Sequence, residues 1–152
     1  MRDFTLISIF EREWITTPIA QLTGIRGVYL VAAELSRLGF IVSPASRSSI
    51  GADLLVTDQK CKRAYSVQVK TNARTFNFWL LNPKAREIVS PTHIYVFVNL
   101  RQGGNDIEYF EVPSRQVSNR MVVQRRPSPT WYSFSIEDAE PFQNRWKVFD
   151  SP

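Results

Sequence analysis

The sequence predicts an α/β fold built around a mixed sheet. The elements follow one another as helix, strand, strand, strand, helix, strand, strand, an order typical of a sheet covered by helices. Residues 92–100, THIYVFVNL, form an apolar run, as expected of a strand that is buried on both faces. Three strands precede the second helix, which argues against a doubly wound parallel sheet.

The first helix is predicted over residues 24–38. Its apolar positions recur at spacings of three and four residues, which indicates one buried face. These positions are Val28, Val31, Leu35 and Leu38. Thr23 is the predicted N-cap, and Gly39 is predicted to end the helix.

The remaining elements are shorter. Residues 52–58 and 64–71 form a predicted hairpin across the polar turn QKCKR. Further strands are expected at 40–44, 92–100, 107–112 and 131–136, and short helices at 83–89 and 113–120.

The chain of 152 residues has the length of one domain. We divide it into an N-terminal arm (1–22), a core (23–112) and a C-terminal extension (113–152). One cysteine excludes an internal disulfide and fits a reducing compartment, so we expect a cytoplasmic protein. No apolar run is long enough to span a membrane, so no membrane partner is expected. The net charge of +5 favours an anionic partner such as DNA.

Polar residues interrupt the strand SVQVKTN, residues 66–72. Gln68 and Lys70 lie on one face because side chains alternate along a strand; that face could also simply meet water. Asp53 begins the apolar partner strand, where an acid is unfavourable unless it is paired, bound to a cation, or capping the preceding loop. Glu34 lies at the edge of the helical stripe and could instead pair with Arg37.

These side chains can converge on one point. Two carboxylates, from Glu34 and Asp53, and the amide oxygen of Gln68 suit Mg²⁺, with Mn²⁺ as a substitute, and the backbone carbonyl of Val69 is a further candidate ligand. Lys70 beside such an ion would hold or deprotonate a water molecule and neutralise charge on a phosphorane. The pattern favours metal-assisted hydrolysis of a phosphodiester; an internal ion pair of Lys70 with Asp53 or Glu34 is the alternative.

The glutamate of GVYLVAAELSRLGF, the aspartate of GADLLV and the QVK that follows resemble the PD-(D/E)xK nuclease superfamily, in its branch of Holliday-junction resolvases and Mrr-type endonucleases. The resemblance covers residues 24–112. It implies a restriction-endonuclease-like three-layer fold, with a central mixed β-sheet flanked by helices, and Mg²⁺-dependent cleavage of DNA. Glu34, Asp53 and Gln68 would then bind the metal and Lys70 would be the catalytic lysine.

One departure from the family pattern matters. Gln68 replaces the acid of the (D/E)xK signature, which removes one negative charge from the metal site. Two interpretations follow: an active endonuclease, or a nuclease-fold domain that no longer cuts and binds nucleic acid or a protein partner in a defence or recombination system. Cleavage of both strands would favour a homodimer.

Polar residues on either side of these motifs are candidate contacts to DNA. Arg47, Ser48 and Ser49 precede Asp53, and Asn72 and Arg74 follow Lys70. Their hydroxyl, amide and guanidinium groups are of the kinds that contact phosphates, although each group also suits an ordinary polar turn.

Overall fold

The computed structural model describes residues 19–46, 51–73, 76–101, 106–127 and 129–150, so most of the predicted N-terminal arm lies outside the described residues. Helix α1 spans Ile19–Arg37. It starts earlier than predicted, so Thr23 is an interior residue of the helix and not its N-cap. Gly39 follows with a φ of 91°, a left-handed conformation that glycine adopts at little cost, and this confirms the predicted helix end. None of the described helices is both long and apolar enough to cross a membrane.

The main sheet has five strands. They are β1 (Ile41–Pro44), β2 (Leu54–Thr57), β3 (Ala64–Asn72), β5 (His93–Asn99) and β6 (Glu108–Pro113). Their spatial order is β1-β2-β3-β5-β6. The β3–β5 pair is parallel and the other pairs are antiparallel. The predicted hairpin and the mixed sheet are therefore confirmed.

A second, three-stranded antiparallel sheet was not predicted. It consists of β4 (Phe78–Leu80), β8 (Trp131–Ser135) and β7 (Val122–Gln124), in that order. Two of its strands have only three residues, too few for an alternating pattern to be recognised. Helices α2 (Ser114–Arg120) and α3 (Ile136–Ala139) accompany it. The helix predicted at 83–89 is reduced to a 3-10 turn, Pro83–Arg86.

The main sheet lies between two hydrophobic cores. On one face, Val31 and Leu35 of α1 pack against Val67 and Val96. On the other face, Phe97 belongs to a cluster whose members from the second sheet and from α2 and α3 are Trp79, Phe134, Val117 and Ala139. The predicted three-layer α/β arrangement is confirmed. Every residue of β5 is buried, as its apolar run predicts.

The second layer leaves part of the main sheet open. Leu55 of β2 stays 53% exposed, and Gln68 and Lys70 of β3 are only half-buried. All three lie on the face opposite α1, since the alternating residues Leu54, Val56, Val67 and Val69 belong to the α1 core. The polar residues of β3 therefore lie at the boundary between the covered and the open part of this face.

Gly27 sets how closely α1 approaches β3. A Cβ atom at this position would lie 1.8 Å from the Thr71 hydroxyl oxygen, far inside van der Waals contact. That hydroxyl is buried and makes no hydrogen bond among the described residues. Only glycine lets the helix backbone pack directly onto this side chain.

We expect Gly27→Ala to lower the free energy of unfolding by about 1–3 kcal/mol, the usual effect of overpacking. The added methyl group must displace either Thr71 or the helix. Urea denaturation measures the change. Gly24→Ala is the matched control, because a Cβ atom there meets nothing within 4 Å; it should leave stability equal or raise it by about 0.5–1 kcal/mol through helix propensity. Equal effects of the two substitutions would contradict the packing argument.

Glu111 is a second internal constraint. It is fully buried on β6 opposite Val96, and neither of its carboxyl oxygens forms a hydrogen bond of normal geometry with a described residue. Burial raises its pKa from 4.5 to about 8, and the nearby backbone of Arg145 offsets part of this effect. The carboxyl is therefore neutral in the folded protein at pH 7.

Glu111→Gln should raise stability at pH 7 and above. Between pH 4.5 and about 8 the folded carboxyl keeps its proton while the unfolded one loses it, so wild-type stability falls as the pH rises through this window. An amide does not titrate, so the free energy of unfolding of the variant rises relative to that of the wild type by a few kcal/mol across this pH window. Thermal unfolding from pH 5 to 9 measures the difference.

Glu108→Gln on the same strand provides the control, because Glu108 is partly exposed and paired with Arg101. It should show no such gain with pH. His93, whose pKa is lowered by burial, titrates in all three proteins and cancels in the comparison. Parallel pH profiles for wild type and Glu111→Gln would rule out the raised pKa.

Candidate active site

The Asp53 carboxylate joins the start of β2 to the edge of β3. The Asp53 N–H donates to the Val67 carbonyl at 2.8 Å, the last backbone bond of this ladder. Two residues further along β3, the Val69 N–H donates to Asp53 Oδ2 at 2.7 Å. The side chain thus takes the place of a backbone carbonyl where β2 begins. Most of the loop that Asp53 was predicted to cap, residues 47–50, lies outside the described residues.

Gln68 approaches the same carboxylate oxygen. Its Nε2 donates to Asp53 Oδ2 at 2.6 Å, which places an amide and a carboxylate side by side. The Val69 carbonyl points to the same side of β3 as the Val69 N–H, because both groups of one residue face the same neighbouring strand. Three oxygen-bearing groups therefore lie beside the start of β2.

Lys70 follows on the Gln68 face of β3. Burial lowers the pKa of its ammonium group, and the negative charge of Asp53 raises it again in part. Asp53 therefore acts electrostatically on the lysine, although none of the ion pairs formed by the described residues includes Lys70. The structure therefore brings Asp53, Gln68, Val69 and Lys70 together.

Glu34 does not join that group among the described contacts. Its Oε2 lies 2.9 Å from Arg37 Nη2 and accepts a second bond from Nε, the helical pair that the sequence also allowed. Its charge acts on Tyr109 of β6, and β6 lies three strand spacings, about 14 Å, from β2. Asp53 is therefore the only acid of the predicted metal ligands that these contacts place beside Gln68.

The donor set fits a divalent cation with one carboxylate ligand. Within the described ranges there is no group of three or more His, Cys, Asp or Glu side chains that could hold a metal. Asp53, the Gln68 amide oxygen and the Val69 carbonyl remain, and Mg²⁺ is commonly held by one or two carboxylates together with waters and substrate phosphates. The residues fit Mg²⁺, and they should bind it weakly without substrate.

The predicted DNA contacts have different outcomes. Arg47, Ser48, Ser49 and Arg74 lie outside the described residues. Asn72 is buried, and its side-chain Nδ2 donates to the carbonyls of Phe76 and Phe78 at 3.0 and 3.4 Å. The Asn72 side chain therefore holds the turn that leads into β4, and its predicted phosphate contact stays a prediction.

An open cleft of about 200 Å³ lies beside Asp53, between α1 and the segments that flank β1 and β2. We call it the Tyr29 cleft; its lining includes Ile25, Val28, Tyr29, Pro44, Ala52 and Asp53. No pattern in the sequence predicts the whole cleft. The spacing of 25, 28 and 29 marks one helix face, but the other wall comes from distant segments.

Glu34 cannot reach the Tyr29 cleft from the same helix face. It follows Tyr29 by five residues, which is about 7.5 Å along the axis and about 140° around it. Glu34, the acid nearest to Tyr29 along α1, therefore points elsewhere, and the helix presents apolar and aromatic side chains to Asp53.

No protein family model and no curated protein matches the chain. Among solved structures, the chain is similar to Hjc of Archaeoglobus fulgidus, described as a Holliday junction resolvase from an archaeal hyperthermophile. The two share 10% sequence identity with a TM-score of 0.49, over 78% of this chain and 88% of that one. The fold class stands on the strand order and layers described above.

Removing the charge of Asp53 should lower the pKa of Lys70 further, because Asp53 opposes the effect of burial. The ¹³Cε shift of Lys70, followed by NMR titration in wild type and Asp53→Asn, measures this. Glu34→Gln is the control and should leave the pKa of Lys70 unchanged. A larger change in the pKa of Lys70 in Glu34→Gln than in Asp53→Asn would show that Glu34, and not Asp53, is the acid that acts on Lys70.

Proposed function

We propose that the protein is a Mg²⁺-dependent endonuclease that hydrolyses phosphodiester bonds in DNA. The observation that carries the proposal is the meeting of Asp53 and Gln68 at 2.6 Å, with Lys70 within the electrostatic influence of Asp53. These residue types in this order also resemble the PD-(D/E)xK pattern. The net charge of +5 suits a polyanionic substrate.

Each residue has a role in this proposal. Asp53, Gln68 and the Val69 carbonyl would hold the ion, which when bound would supply charge stabilisation at the phosphate and a more acidic water. Lys70 orients the attacking water. Its lowered pKa eases loss of its proton, so it can accept one from that water, and in its protonated form it neutralises charge on the phosphorane.

A second candidate is a nuclease-fold domain that binds DNA without cutting it. The observation in its favour is that Glu34 is engaged by Arg37, which leaves Asp53 as the only carboxylate at the candidate site among the described contacts. One carboxylate offers less charge to a cation than two. The two candidates differ in metal binding and in turnover.

Cleavage of plasmid and oligonucleotide DNA tests the first candidate. With millimolar Mg²⁺ or Mn²⁺ the wild type should nick or cut DNA. Lys70→Ala should lower the cleavage rate at least about 100-fold, the low end of the contribution of proton transfer to catalysis. Lys84→Ala, in an exposed 3-10 turn, is the matched lysine control and should keep wild-type activity. Cleavage that persists at the wild-type rate in Lys70→Ala comes from a contaminant and counts against the proposal.

Calorimetry with Mn²⁺ separates the two candidates. An active site gives heat that Asp53→Asn removes and Glu34→Gln retains, because the carboxylate of Asp53 is the charged ligand. A wild-type protein that binds DNA but takes up no Mn²⁺ at millimolar concentration, with or without DNA, belongs to the second candidate.

A further inference from the structure

We infer that the Tyr29 cleft binds an unpaired nucleobase next to the phosphate that is cut, with Tyr29 as its stacking platform. This inference rests on the proposed function and specifies its substrate class: DNA in which a nucleotide beside the cleavage point is unstacked, such as a single strand, a flap or a bulge.

The position of the cleft supports this occupant. Asp53 lines the cleft and is also bonded to Gln68 and Val69, so the cleft and the candidate active site share a wall. A phosphate bound near Asp53 and Lys70 therefore has its own nucleotide, or the next one, within reach of the cleft.

The lining of the cleft favours a nucleobase, rather than a phosphate, as its occupant. Most lining residues have apolar or aromatic side chains, and the polar side chains among them are those of Ser46 and Asp53. A flat heterocycle meets this surface well, because its faces are apolar and its edges are polar. The charged backbone would stay outside, where Arg26 is exposed on the preceding turn of α1.

Tyr29 is the side chain that selects for an unpaired base. Its side chain lines the cleft and is nevertheless 65% exposed, the highest value among the large apolar or aromatic side chains exposed in the described part of the chain. An exposed aromatic ring can stack on a base whose face is free, which is how single-strand binders hold bases. In an intact duplex both faces of a base are already stacked, so Tyr29 gains nothing there.

The test measures affinity by fluorescence anisotropy, with Ca²⁺ in place of Mg²⁺ to suppress cleavage. The probes are a single strand, a flapped duplex and an intact duplex of the same sequence. Tyr29→Ala should weaken binding to the first two by about 5- to 150-fold, the equivalent of roughly 1–3 kcal/mol of base stacking. Binding to the intact duplex should change less than about 2-fold, a difference of under 0.5 kcal/mol.

Two variants control for the fold and for the hydroxyl group. Tyr29→Phe keeps the ring and should retain wild-type affinity for every probe. Leu22→Ala removes another exposed side chain of α1 (50% exposed) that does not line the cleft, and it should bind as wild type. A 2-aminopurine at the unpaired position should lose fluorescence on binding wild type and Tyr29→Phe, but not Tyr29→Ala.

The outcomes separate this inference from the proposed function. If the wild type cuts DNA and Tyr29→Ala binds all three probes as the wild type does, the base site is wrong and the nuclease proposal stands. If Tyr29→Ala loses affinity equally for single strand and duplex, or if Tyr29→Phe fails as well, the stacking role is wrong. If the wild type binds none of the probes, both proposals fall.

Discussion

The hydrogen bonds from β3 to the Asp53 carboxylate are the constraint on which the site depends. Backbone N–H groups beyond the end of a neighbouring strand need acceptors, and a buried N–H group that lacks one costs about 1–3 kcal/mol. Val69 lies two residues beyond Val67, whose carbonyl accepts the last backbone bond of the β2–β3 ladder. Because the Asp53 side chain supplies the acceptor for the Val69 N–H, this hydrogen bond also fixes the position of the carboxylate.

Asp53 is therefore both the candidate catalytic residue and the residue that caps β3. Gln68 follows because it shares the acceptor oxygen, and Lys70 follows because it lies two residues further along the same face of β3. A cation entering the site would have to share Asp53 with these N–H donors. Such competition, together with the absence of Glu34 from the described contacts of Asp53, suits an ion that is held firmly only once a phosphate adds its oxygens.

Packing on the other face of the sheet determines which part of α1 meets the site. The contact of Gly27 with Thr71 brings the N-terminal half of the helix down onto β3, so Ile25, Val28 and Tyr29 face Asp53 across the cleft. Glu34, more than one turn further on, is carried toward β6 and Tyr109. Glu34, predicted from the sequence as a metal ligand, is thereby carried away from Asp53 toward β6, an edge strand of the sheet.

The sequence alone determined the elements with strong local signals: the helix before Gly39, the β2–β3 hairpin, the buried run of β5, and the pairing of Gln68 with Lys70 on one face. These follow from periodicity and turn chemistry, which act over a few neighbouring residues. The second sheet, the unpaired burial of Glu111 and the choice of Arg37 over Asp53 by Glu34 were decided only by the tertiary structure. Each depends on which distant segments meet. The local sequence around a short strand or an acidic residue does not predict the segment that it will contact.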